Sequence, residues 1–167
     1  AALCTMVGNY TVGKKKYAGV EEDVKLLMAK AEDLRARLLA LVDADAAAFE
    51  PLSKAYAIPK EDPSRGAVME RCLQDAAATP MAILRLCCEA IDLHREMGEK
   101  GSVLMLSDVG TGVVFCQSAL YGAALNVRVN TKSMADRAFA QAMNEEADAL
   151  VAKYAPMARQ VYDKVMG

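Results

Sequence analysis

Nine positions in the first third of the chain constrain its fold more than any other feature. Val24, Leu27, Ala31, Leu34, Leu38, Leu41, Asp45, Ala48 and Leu52 recur at alternating steps of three and four, the spacing that stacks side chains along one side of an α-helix. The spacing predicts a helix over 20–56, opened by Glu21, Glu22 and Asp23 at its positive end. An apolar stripe that long needs other helices to cover it. Eight of its members are apolar and the ninth is a carboxylate.

The rest of the chain repeats the pattern. Ser64 is a candidate cap for a helix over 65–78, and Thr79-Pro80 supplies a cap and a first-turn proline for another ending near Gly98. Ser107 is a candidate cap for a very apolar helix to about Leu125, followed by a connector over 126–131. Ser133 and Asp136 resemble a capping box before a last helix whose stripe is Phe139, Met143, Leu150, Tyr154, Met157 and Val161, with a kink expected at Pro156. No segment alternates long enough to be a strand. The composition agrees: 54% of the 167 residues are hydrophobic, yet only 5% are aromatic and Trp is absent, a mixture suited to close helix packing. The expectation is an all-α, multihelical bundle with buried central helices, one domain over 1–167.

Charge and cysteine usage narrow the function. A net charge of −2 argues against a nucleic-acid binder, which usually shows a basic face. The longest apolar run, 103–129, is interrupted by Asp108, Gln117, Asn126 and Arg128, so it reads as a buried helix rather than a membrane span of ~20 apolar residues. Cys4, Cys72, Cys87, Cys88 and Cys116 form no zinc-ligand spacing. They read as reduced, buried thiols of a cytoplasmic protein. Residues 1–7 read as the last turns of a helix, so further residues are expected before them.

Asp45 is the leading candidate for chemistry. A carboxylate facing a core loses hydration, which raises its pKa toward the range useful for proton transfer. Pro51 releases the Ala47 carbonyl one turn away. The alternative is a core Asp paired with a Lys or Arg of a neighbouring helix. Asp43 falls off the stripe and reads as solvated. Asp108 opens the apolar helix inside a Ser-Asp-Val-Gly run, where it serves either a ligand or the helix start. Asn126, Arg128 and Asn130 would point to one side if their segment were extended. The 8–14 stretch has the G-x-x-x-x-G-K spacing, but no strand precedes it and Lys15 stands where a phosphate loop needs Ser or Thr; Lys14 remains a point charge for an anion. His94, the single histidine, lies on a stripe with Leu84, Cys87 and Ile91 and reads as structural. Gly112, Ala119, Gly122 and Ala123 demand more close helix partners than this chain supplies, which predicts a homodimer.

Taken together, GNYTVGKKKY (8–17), LVDADAAAF (41–49), AIPK (57–60), SDVG (107–110) and ALNVRVNTK (124–132) resemble the formiminotetrahydrofolate cyclodeaminase / methenyltetrahydrofolate cyclohydrolase family. The segments IDLH (91–94) and NTKSM (130–134) are most similar to its stand-alone bacterial cyclohydrolases. The resemblance implies a dimeric helical fold and Asp45 as the acid/base. It also implies folate contacts from Lys14, Asp108, Asn126 and Asn130, and Arg128 or Lys14 is a candidate holder of the glutamate carboxylates; no metal and no cofactor besides the folate substrate is expected. The family's initial helix and glycine-rich turn have no counterpart in 1–167. The implied reaction is hydrolysis of the 5,10-methenyl bridge of tetrahydrofolate to the 10-formyl form. The alternatives are release of ammonia from the 5-formimino form, or a non-catalytic helical scaffold.

Overall fold

In the computed structural model, which describes residues 1–167, the first stripe lies on α2 (Glu21–Tyr56), preceded by the short α1 (Ala2–Asn9) and a 3₁₀ turn over Lys15–Val20. Val24, Leu27, Ala31 and Leu34 are buried, Leu38 and Leu41 half-buried, and Leu52 is buried again. Between them the stripe leaves the core. Asp45 and its neighbours on either side are exposed, because α3 sets only the short side chains of Ala76 and Pro80 beside Asp45, which leaves an open cleft there. The reading of Asp45 as a core carboxylate is therefore corrected.

The expected break at Thr79-Pro80 does not occur. One helix, α3 (Arg65–Lys100), continues through Pro80. Both halves are pinned by burial, Leu73, Ala76 and Ala77 before the proline and Met81, Leu84 and Ile91 after it, and packing overrides the local preference for a helix start. Ser64 does not cap it; its backbone N–H and Oγ both donate to Asp62.

A 3₁₀ turn over Val103–Met105 leads into α4 (Leu106–Thr131), so Ser107 lies within the helix rather than capping it. The predicted connector over 126–131 is the last turns of α4, held by the burial of Val127 and Thr131. The final helix, α5 (Arg137–Met166), takes Asp136 as its cap, with Oδ1 accepting from Phe139 N–H at 2.9 Å. Ser133 plays no part in that cap. Glu70 ties the connection down by accepting from the backbone of Ala135 and Asp136.

α3 is the central helix, flanked by α2, α4 and α5. α4 buries Val109, Val113, Leu120 and Val127 inward, but its outer face is bare. Over Val103–Thr131 the most apolar window has a mean hydropathy of 1.5 and is 28% buried, so this segment is not the fully buried helix its composition suggested. It is also long and apolar enough for a membrane span.

His94 sits in the core at 1% exposure, its Nδ1 2.7 Å from the Ala90 carbonyl. That bond requires the proton on Nδ1. Nε2 is buried without a partner. Burial lowers the pKa from 6.5 to about 4. The unfolded chain thus binds the proton more readily, and the stabilisation from keeping His94 neutral is complete above about pH 6.5 and lost as pH falls toward 4. The loss should reach about 3 kcal/mol. Urea midpoints measured across this window should fall in wild type and stay flat in a folded His94→Gln variant.

Burial pushes the thiols up, Cys4 and Cys88 to about 11 and Cys87 to about 12. Cys72 and Cys116 are only half-buried, which corrects the expectation that all five are buried. A thiol reagent at neutral pH should label native protein first at Cys72, with Cys4, Cys87 and Cys88 protected until unfolding; mass mapping of the labelled protein checks this.

Candidate active site

Three helices converge on one open cleft of ≈ 200 Å³. α2 contributes Asp45 and Phe49, α3 contributes Ala76 and Pro80, and α4 contributes Asn126, Val129 and Asn130. Asp45 and Phe49 are one turn apart, so both side chains leave α2 on the same side. Asn126 and Asn130 share a face of α4 for the same reason.

The cleft is mixed in character. Phe49 and Val129 are exposed at 59% and 67%, so the cleft offers apolar surface beside its polar groups. No Lys or Arg pairs with Asp45; the ion pairs between α2 and α3 are made elsewhere, by Arg37 with Glu89 and by Lys100 with Asp23. The alternative of a core ion pair at Asp45 is therefore not what the chain adopts. Asp43 is exposed as well, and on another side of α2. The Asn130 amide is fixed, its Nδ2 donating to the carbonyls of Asn126 at 3.1 Å and Ala76 at 3.3 Å.

The other candidates lie elsewhere. Helical rather than extended backbone turns Arg128 about 200° from Asn126, and its Nη2 lies 2.6 Å from Asp148 Oδ2 on α5. The expectation that Arg128 joins the two asparagines on one side is corrected. Asp108 is half-buried in the first turn of α4, ~27 Å along the axis from Asn126 at 1.5 Å per residue. Lys14 is at that same end, since its loop is bound to the 102–103 backbone by Thr11 Oγ1 at 2.8 Å and Tyr17 Oη at 3.0 Å. A single chain thus unites Asp45, Asn126 and Asn130 and leaves Lys14, Asp108 and Arg128 outside the cleft. Phe49, Ala76, Pro80 and Val129 had no assigned place in the site. For Phe49 a signal existed: it sits one helical turn beyond Asp45 and outside the apolar stripe.

Nowhere do three His, Cys, Asp or Glu side chains converge as a metal ion would need. The carboxylate and two amides suit proton transfer and hydrogen bonding to a small polar ligand, with Phe49 and Val129 offering apolar contact to a ring.

The formiminotransferase-cyclodeaminase family model matches residues 1–149. A methenyltetrahydrofolate cyclohydrolase of Methylorubrum extorquens is 40% identical, over 99% of this chain and 81% of its own length. A formimidoyltransferase-cyclodeaminase of Sus scrofa is 29% identical, and this chain spans 31% of it. The crystal structure of formiminotetrahydrofolate cyclodeaminase from Thermotoga maritima superposes with a TM-score of 0.85 at 26% identity, covering 99% of this chain and 82% of that one. The chain belongs to the formiminotransferase-cyclodeaminase family.

Proposed function

We propose that the protein is a methenyltetrahydrofolate cyclohydrolase and that the Asp45 cleft is its active site. The observation that carries this reading is the convergence of Asp45, Asn126 and Asn130, from two helices, on one cleft in a chain 40% identical to a protein of that name. Water attacks the amidinium carbon between N5 and N10, giving up a proton to Asp45. The tetrahedral carbon collapses with cleavage of the C–N5 bond, N5 takes a proton, and the carbinol hydroxyl loses its own to become the formyl carbonyl. Asp45 begins as a solvated carboxylate. A bound pterin resting on Phe49 and Val129 displaces that water and supplies the desolvation that the chain's own core does not.

The cyclodeaminase reaction stands as a second reading, favoured by the likeness to the Thermotoga maritima enzyme. The two are separated by incubating the purified protein with 5,10-methenyl- and with 5-formimino-tetrahydrofolate and following the methenyl chromophore. Its disappearance from the first supports hydrolysis, its appearance from the second supports deamination, and neither sinks both.

The bare face of α4 belongs to the same proposal. Phe115, Tyr121, Leu125 and Val129 are exposed at 67%, 46%, 64% and 67%. Of the small residues expected to seek a partner, Gly112 and Ala123 are buried within the chain, while Ala119 and Gly122 face outward beside these apolar groups. A second copy covering this face makes a homodimer. Pairing the two α4 helices antiparallel would bring the partner's Asp108 end toward Val129 at the rim of the cleft. Light scattering should give twice the chain mass for wild type and a smaller species for Leu125→Glu; a monomeric wild type would rule the homodimer out. The cytosol, where reduced folates and free thiols both persist, is the proposed compartment.

A further inference from the structure

Pro80 lies within α3 where the helix borders the cleft. A proline has no N–H, so the carbonyl four residues earlier, that of Ala76, loses its regular helical donor. Ala76 is nearly buried, at 7% exposure, and a buried carbonyl left unpaired is costly. The donor it obtains comes from another helix, the side-chain Nδ2 of Asn130, at 3.3 Å. The same nitrogen donates to Asn126 O at 3.1 Å. An amide nitrogen carries two protons, and both are thereby committed to backbone. What Asn130 retains for a ligand is Oδ1, an acceptor only.

We propose that Pro80 is a positioning residue: it frees the Ala76 carbonyl to hold the Asn130 amide so that the cleft meets its oxygen. This deepens the reading of the cleft as the active site and rests on it. A water that attacks carbon must direct a lone pair at it, and its two O–H groups must then point elsewhere, each to an acceptor. The Asp45 carboxylate is one acceptor lining the cleft, and Asn130 Oδ1 is the other. An amide free to flip would present N–H half the time and turn the water's lone pair toward itself. The proline prevents the flip at the level of the main chain.

A double-mutant cycle tests this. Pro80→Ala restores a helix N–H to the Ala76 carbonyl and weakens the hold on Asn130. It should lower kcat about 3- to 10-fold, the size of one misdirected hydrogen bond, with KM changed less and the urea midpoint unchanged or raised. Asn130→Ala should lower kcat by about 10-fold or more. In the Asn130→Ala background, Pro80→Ala should change kcat less than about twofold, because the group it positions is gone. Equal factors in the two backgrounds, or a Pro80→Ala variant with wild-type kcat, would overturn the proposal. A second measurement needs no turnover. The Asn130 side-chain NH₂ signals in a ¹⁵N spectrum, identified by their loss in Asn130→Ala, should be well separated and slow to exchange in wild type and should converge in Pro80→Ala. If wild type acts on neither folate, the enzymatic reading fails, yet unmoved NH₂ signals in Pro80→Ala would still refute the positioning role.

Discussion

Replacing Asp45 by Asn should lower turnover of methenyltetrahydrofolate by ~100- to 10,000-fold, the usual contribution of a general acid–base group. The variant keeps the shape of the side chain and much of its hydrogen bonding but cannot accept the proton of the attacking water. Substrate affinity should change far less, because Phe49, Val129 and the two asparagines of the cleft are untouched. Stability should stay within about 0.5 kcal/mol of wild type, the range for an exposed substitution away from caps and ion pairs. The core reading of Asp45 predicts stability held or improved through relief of desolvation, and a core ion pair predicts a loss of about 3–5 kcal/mol; exposure and the lack of a basic partner remove both grounds. Asp43→Asn is the control, since two residues along a helix turn it about 200° away, and it should retain wild-type kcat. Turnover and the urea midpoint measured on one preparation decide the matter. An Asp45→Asn protein with wild-type kcat would end the proposed mechanism.

What the chain reveals without its structure follows from which signals are local. The 3-4 spacing from Val24 to Leu34 is a property of the helix itself, and those side chains are buried. The same spacing continues through Asp45, but burial there depends on which side chains α3 sets beside it, here only Ala76 and Pro80, which no periodicity reports. The stripe thus singled out Asp45 while mistaking its surroundings. Pro80 and the 126–131 segment depart from their local signals for a related reason. A proline after threonine, and asparagines among β-branched residues, weaken a helix locally, but the burial of Ala76, Ala77 and Met81, and of Val127 and Thr131, outweighs those preferences. The helical course of 126–131 also moves Arg128 away from the two asparagines, since an extended segment and a helix send alternate residues to different sides. That Asn126 and Asn130 fall on one face is true of both geometries. The bond from Asn130 to Ala76 spans 54 positions, and nothing short of the tertiary fold announces it.

The glycine with the least room for a side chain is also beyond local inspection, and it predicts the largest loss of stability. Gly112, in the second turn of α4, lies against the His94 ring of α3. A Cβ there would fall 2.1 Å from Nε2 and 2.6 Å from Cδ2, well inside contact distance. The ring has no easy retreat. Its Nδ1 is held by the Ala90 carbonyl at 2.7 Å, and His94 packs in the same core as Leu84, Ile91, Val109 and Val113. Gly112→Ala must therefore prise α4 from α3, which should destabilise the protein by about 3 kcal/mol, the upper end for overpacking. The gain in helix propensity of Ala over Gly, about 1 kcal/mol, acts the other way and is outweighed. The ring itself supplies the check. His94→Ala alone should also cost about 3 kcal/mol through the cavity it opens, but in that background the Gly112→Ala methyl enters the vacated space. The double variant should then be no less stable than His94→Ala, so the two losses fail to add. Urea unfolding of the four proteins at pH 7.5, where His94 is neutral, gives the coupling directly. A Gly112→Ala protein as stable as wild type would show that α3 and α4 do not meet through this contact.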